Sequence, residues 1–77
     1  MQEKTVGVLT FSTTPEAIRF ERSAKELHLP GYLIPIPSQL SAGCGLAWEV
    51  DIDQLDFLIE KAHNLKLSFD GSYKINY

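Results

Sequence analysis

The sequence predicts an α+β domain in which a four-stranded antiparallel sheet carries two helices on one of its faces. Two observations lead to this prediction. Short segments rich in β-branched and aromatic residues lie near both ends and in the middle of the chain, and two segments with apolar residues at helical spacing separate them. The length of 77 residues and the apolar content of 44% suit a single globular domain over residues 1–77.

The first part of the chain predicts a central strand followed by a helix. Residues 4–11, KTVGVLTF, are apolar on both alternating faces, which is typical of a strand with neighbours on either side. The helix begins after Thr13, which forms a capping box with Glu16, and it ends before Pro30.

Two further strands flank a loop in the middle of the chain. Residues 32–36, YLIPI, form the second strand, and residues 45–50, GLAWEV, form the third. Pro35 has no N–H to donate to a neighbouring strand, so the second strand is expected at a sheet edge or at a bulge.

The last part of the chain predicts a second helix and a final strand. Residues 51–64 have one apolar face, and Asp51 with Gln54 resembles a capping box. Residues 65–77 supply the last strand, with turn chemistry at an Asp-Gly pair. The resulting order, β-α-β-β-α-β, is that of the ferredoxin-like split βαβ fold, in which strands one and three are central.

Charge and cysteine content exclude several classes of function. The net charge of −3 offers no basic stripe for phosphates, so nucleic acid is not an expected partner. No apolar run approaches the roughly 20 residues of a membrane span. One cysteine cannot form an internal disulfide, and with two scattered histidines it lacks the spacing of a zinc site. We therefore expect a cytoplasmic protein with no metal and no organic cofactor.

The stretch PSQLSAGCGLAWEV holds the one cysteine of the chain, Cys44, between Gly43 and Gly45. Glycines on both sides leave the sulfur unobstructed and allow positive φ, so that backbone N–H groups can turn towards it. Ser38 and Ser41 can donate further hydrogen bonds. Such donors would favour the thiolate, which is the nucleophilic form of cysteine.

The loop contains no lysine, arginine or histidine, so strong activation of the thiol has to come from elsewhere in the fold. We expect the loop at the end of the sheet where strand one begins and helix one ends. That placement makes His28 the candidate thiol activator. A helix-capping role for His28 explains its position as well, because a helix C-terminus favours cations.

A longer motif surrounds the cysteine. It runs from PIP at residues 35–37 through a short serine-containing loop to CGLA at residues 44–47. Together with the opening strand and both helices, the motif resembles the Se/S carrier protein-like family of small bacterial proteins, over residues 5–76. The resemblance implies that Cys44 holds a sulfur or selenium atom as a persulfide or selenosulfide. It also implies donor and acceptor proteins as partners, and a carrier rather than an enzyme in the turnover sense.

Other interpretations of the same residues stay open. Free cysteine is among the most buried residue types, so Cys44 can equally be a small core residue at a tight strand entry. The domain would then be a ligand-sensing module of the amino-acid-sensing type, or a protein-interaction module. The uncovered sheet face also favours a homodimer, for which Phe11, Tyr32 and Trp48 are candidate interface residues.

Overall fold

The computed structural model describes residues 4–40 and 43–76, and it has the predicted order of elements. The four strands pair antiparallel in the order β2-β3-β1-β4, so that the first and third strands are central and the second lies at an edge. The predicted fold class is confirmed. The elements are β1 (Thr5–Thr10), α1 (Thr14–Glu26), β2 (Tyr32–Pro35), β3 (Leu46–Asp51), a 3-10 turn (Ile52–Gln54), α2 (Leu55–Asn64) and β4 (Gly71–Asn76).

The predicted pair of side chains caps the N-terminus of α1. Thr13 Oγ1 accepts a hydrogen bond from the backbone N–H of Glu16 at 3.3 Å. Glu16 Oε1 in turn accepts from the N–H of Ser12 at 2.8 Å, one residue earlier than in a standard capping box. Both bonds satisfy donors that would otherwise lack partners at this end of the helix.

The start of α2 differs from the prediction. Neither Asp51 nor Gln54 makes a side-chain capping hydrogen bond, and a 3-10 turn over Ile52–Gln54 precedes the helix. The predicted capping box is therefore wrong. The reason is that Asp51 is still part of β3, where it pairs with Val6, so its position is set by the sheet.

Both helices end in the same main-chain motif. His28 (φ 55°) follows α1 and Lys66 (φ 57°) follows α2, each in the left-handed conformation. In both cases the N–H of the next leucine donates at 2.8 Å to the carbonyl of the alanine five residues earlier. This is the Schellman arrangement, which usually places glycine at the left-handed position.

The larger core lies between the helices and the sheet, and we call it the helix-side core. Phe20 of α1 packs at its centre, with ring centroids 5.4 Å from Phe11 and 5.3 Å from Trp48. The Trp48 indole also donates to the carbonyl of Pro30 at 3.0 Å. Phe11 and Trp48 are fully buried here, so their predicted role in a dimer interface is wrong.

A smaller cluster covers the opposite face of the sheet, which we call the outer face. It consists of Val6, Val8, Ala47 and Ile75, and Ile34, Ile36 and Leu40 pack against it. Part of the chain after β2 thus lies over this face and helps to bury its centre. Tyr32, the third predicted interface residue, is 56% exposed on the same face. A homodimer through this face stays a prediction.

Candidate functional site

The loop that carries Cys44 lies at the end of the sheet where β1 ends and α1 begins. Near this loop, β3 pairs with β1 as far as Ala47, which lies opposite Thr10. The backbone of Gly43 also approaches the start of α1, because a Cβ placed on it would lie 3.5 Å from the carbonyl oxygen of Ser12. The cysteine loop and the first turn of α1 are therefore neighbours.

This placement is the opposite of the predicted one. Because β3 runs antiparallel to β1, its first residues lie beside the last residues of β1, not beside the first. His28 follows the far end of α1, a helix of 13 residues that measures about 20 Å at 1.5 Å per residue. The predicted placement of the loop is wrong, and the fold does not bring His28 to Cys44.

Two main-chain groups of one residue contact the sulfur of Cys44. The N–H of Leu46 donates to Sγ at 3.4 Å, and the thiol lies 3.5 Å from the carbonyl oxygen of Leu46, which can accept from it. Cys44 is partly buried and packs against the edge of the helix-side core. Backbone and hydrocarbon thus hold the sulfur from one side, and the residue as a whole keeps part of its surface accessible to solvent.

Leu46 contacts the candidate thiol, although the sequence does not single it out. The described pairing of β1 with β3 ends one residue later, at Ala47, so the main-chain groups of Leu46 are not taken up by that ladder. On the other side Leu46 lies opposite Pro35, at a position where β2 and β3 exchange no hydrogen bond, because the neighbouring pair is bonded through Ile36 N–H and the Gly45 carbonyl. The N–H and carbonyl of Leu46 are therefore available to the sulfur.

The glycines and serines predicted to support the thiol differ in backbone conformation and in hydrogen bonding. Gly45 has a φ of 74°, as expected for a turn around the sulfur, whereas Gly43 is not among the glycines with positive φ. Among the described residues, the N–H that reaches Sγ is that of Leu46, not that of either glycine. Ser38 donates to the side chain of Gln39 at 3.4 Å. Ser41 lies outside the described residues.

Two acidic side chains near the cysteine, one in sequence and one beside the start of α1, accept hydrogen bonds from other residues. Glu49 accepts a hydrogen bond from the hydroxyl of Tyr32. Its pairing partner Val8 belongs to the outer-face cluster, so this carboxylate lies on the side of the sheet away from the helices. Asp70, beside the start of α1, accepts from the hydroxyl of Ser12 at 3.3 Å.

Metal-binding clusters and membrane-spanning helices are absent from the described residues. Within residues 4–40 and 43–76, no three histidine, cysteine or acidic side chains lie close enough together to bind a metal ion. Over the same ranges, neither helix has both the length and the apolar character that crossing a bilayer requires. The candidate site consists of Cys44 with its glycine neighbours and Leu46.

One comparison with known proteins gives a match. A family model described as "Putative Se/S carrier protein-like" matches residues 6–74. The match spans both helices, all of β2 and β3, and the loop with Cys44. No curated protein and no solved structure matches the chain.

Proposed function

The chain belongs to the Se/S carrier protein-like family, and from that premise we propose that it carries one sulfur or selenium atom on Cys44. One observation supports this proposal above the others. The one thiol of the chain lies in a loop within the matched region, partly exposed and in contact with a backbone N–H donor. The cargo is held as a persulfide or selenosulfide, which a donor protein supplies and an acceptor protein removes.

The transfer requires no net oxidant or reductant. The Cys44 thiolate attacks the terminal sulfur of a donor persulfide, a new S–S bond forms, and the old S–S bond breaks. The donor leaves as a thiolate and takes up a proton, while Cys44 becomes the persulfide. Delivery is the same step in reverse, with an acceptor nucleophile attacking the terminal atom and Cys44 leaving as a thiolate.

The loop has two properties that suit this exchange. The N–H of Leu46 donates to the sulfur and stabilises the negative charge that remains once the thiol proton, which faces the carbonyl oxygen of the same residue, has been lost. Among the described residues other than its two chain neighbours, no atom lies within 4 Å of the place where a Cβ on Gly45 would be, so these residues leave room beside the thiol for an approaching protein. Together they present the sulfur at an end of the sheet instead of within the core.

We further propose that the protein works in the cytoplasm. Reducing conditions keep a lone cysteine as a thiol, which is the form that accepts the cargo. The protein binds its cargo covalently and hands it on, and it turns over no substrate of its own.

The test is a mass measurement on the reduced native protein after incubation with glutathione persulfide. A carrier gains the mass of one sulfur atom, and Cys44→Ser gains nothing. The same experiment with glutathione selenopersulfide tests selenium as cargo. Absence of the gain in the native protein, or a gain that requires denaturant, contradicts the proposal. Stabilisation by an amino acid without any change in mass would favour the ligand-sensing alternative.

A further inference from the structure

A groove between the C-terminal end of α1 and the outer side of α2 concentrates exposed apolar surface. It has a volume of about 380 Å³. Three large apolar side chains line it and remain about half exposed: Leu27 at 49%, Phe57 at 48% and Leu65 at 43%. They are half of the six exposed large apolar side chains in the described residues, so the apolar surface is gathered in one place.

The lining of this groove contains one lysine and no acidic side chain. The ionisable side chains that line it are His28 and Lys61, both basic, in a chain whose net charge is −3. The Lys61 ammonium lies 5.7 Å from the ring centroid of Phe57. In the described part of the chain, Lys61 forms no salt bridge with a carboxylate. The groove is therefore a basic and apolar area on an acidic protein.

The position of His28 adds a second feature. His28 occupies the left-handed position of the Schellman motif, where a side chain costs about 1 kcal/mol relative to glycine. Lys66 has the same conformation at the end of α2 and does not line the groove, so this conformation belongs to the helix end. What His28 contributes to the groove is its imidazole side chain.

We propose that this groove docks an acidic segment of a partner protein. The segment inserts one large apolar side chain between Leu27, Phe57 and Leu65, and its carboxylates face Lys61 and His28. A protein segment is the proposed occupant because exposed large apolar side chains gathered on one surface are typical of contacts between proteins. A contact of this size makes a weak, transient complex.

The groove is separate from the cysteine loop. His28 lies beyond the C-terminus of α1, whereas the loop lies beside its N-terminus. A partner held in the groove leaves the thiol free. The inference does not depend on sulfur transfer, and its test contains no measurement on Cys44.

Amide NMR shifts of the full chain, titrated with short synthetic peptides, test the proposal. One peptide combines leucine with glutamate, a second leucine with lysine, and a third serine with glutamate. The leucine–glutamate peptide is expected to shift the resonances of Leu27, Phe57, Lys61 and Leu65, with weaker binding as salt rises. Lys61→Glu lowers the affinity about tenfold, because it replaces attraction by repulsion. Lys74→Glu, an exposed lysine on β4, is the matched control and changes the affinity less than about twofold.

Several results overturn the inference. If the leucine–lysine peptide binds as tightly as the leucine–glutamate peptide, the groove does not require carboxylates. If the serine–glutamate peptide does so, the groove does not require an apolar side chain. If Lys61→Glu and Phe57→Ser both bind the leucine–glutamate peptide with unchanged affinity, the peptide does not bind in this groove. Shifts of the same resonances on raising the protein concentration alone identify a second copy as the occupant. Saturable binding of phenylacetate that displaces the peptide identifies a small carboxylate instead.

Discussion

The two ends of the β2–β3 pair both contain a glycine with positive φ, yet they are packed very differently. At the start of β2, Gly31 has a φ of 106°, and a Cβ there would overlap Trp48 Nε1 and lie 2.5 Å from the carbonyl oxygen of Glu49. At the other end Gly45 has a φ of 74°, and a Cβ there would meet no atom within 4 Å from residues 4–40 or 46–76 beyond its chain neighbours, nor from Gly43. We call these the tight end and the cysteine end.

The difference shows that close packing at the tight end stabilises the fold, whereas the cysteine end contributes little packing. At the tight end the backbone is pressed against Trp48, whose indole also bonds the carbonyl of Pro30, so the turn is part of the core. At the cysteine end the turn needs glycine only for its backbone conformation. A residue there can meet another protein without disturbing the packing that stabilises the fold.

The largest effect is expected from Gly31→Ala at the tight end. The added methyl group collides with Trp48 and with backbone, and the backbone conformation is itself unfavourable for alanine, so we expect a loss of about 3 kcal/mol or more. The measurement is the free energy of unfolding from urea titration. If the variant is as stable as the parent, Gly31 is not packed closely against Trp48 and the Glu49 carbonyl.

A smaller loss is expected from Gly7→Ala, under the first turn of α2. A Cβ on Gly7 would lie 2.7 Å from Leu55 Cδ1 and 3.0 Å from Leu55 Cβ, so the buried leucine has to shift together with the start of α2. Gly7, unlike Gly31, does not have a positive φ, so overpacking alone opposes alanine and we expect a loss of about 2 kcal/mol in the same urea titration. A cost above that of Gly31→Ala would reverse the order that the packing predicts.

Gly45→Ala at the cysteine end is expected to cost about 1 kcal/mol. The left-handed backbone conformation opposes alanine here, whereas the described part of the chain leaves space for its methyl group. Both glycines have a positive φ, so the difference in free energy of unfolding between this variant and Gly31→Ala measures the cost of the packing contacts at Gly31. Equal losses in the two variants would mean that the two ends do not differ.

The smallest effect is expected from Cys44→Ser. The side chain is only partly buried at the edge of the core, so its replacement by a slightly smaller polar group changes the free energy of unfolding by about 0.5 kcal/mol. Thermal unfolding measures this difference. A loss of several kcal/mol would make Cys44 a structural residue, as the alternative interpretation of the sequence holds.

The helices and strands can be predicted from local sequence patterns. The wrong predictions concern features that depend on how distant segments pair in the sheet. The apolar periodicity and the Thr13 cap act within a few residues, so they could be predicted. The capping role of Asp51 could not be excluded from sequence, because strand pairing with Val6 overrides it. Likewise the burial of Phe11 and Trp48 depends on which face the helices cover.

For the candidate site, the sequence identifies the thiol but not its surroundings. Cys44 and the turn at Gly45 can be identified directly from the amino-acid sequence. The contact with Leu46 depends on where the β1–β3 ladder ends, and the distance from His28 depends on which ends of antiparallel strands meet. Neither is encoded in residues next to the cysteine.

The rate of thiol alkylation in the native and the unfolded protein tests most directly whether Cys44 is available to partners. If the cysteine end is open, the folded protein reacts within about tenfold of the unfolded rate, without waiting for global unfolding. If Cys44 is sealed, native alkylation is slower by about 10³-fold or more and follows the unfolding equilibrium. The first result is the one we predict, and the second would contradict the assignment of Cys44 as a carrier thiol.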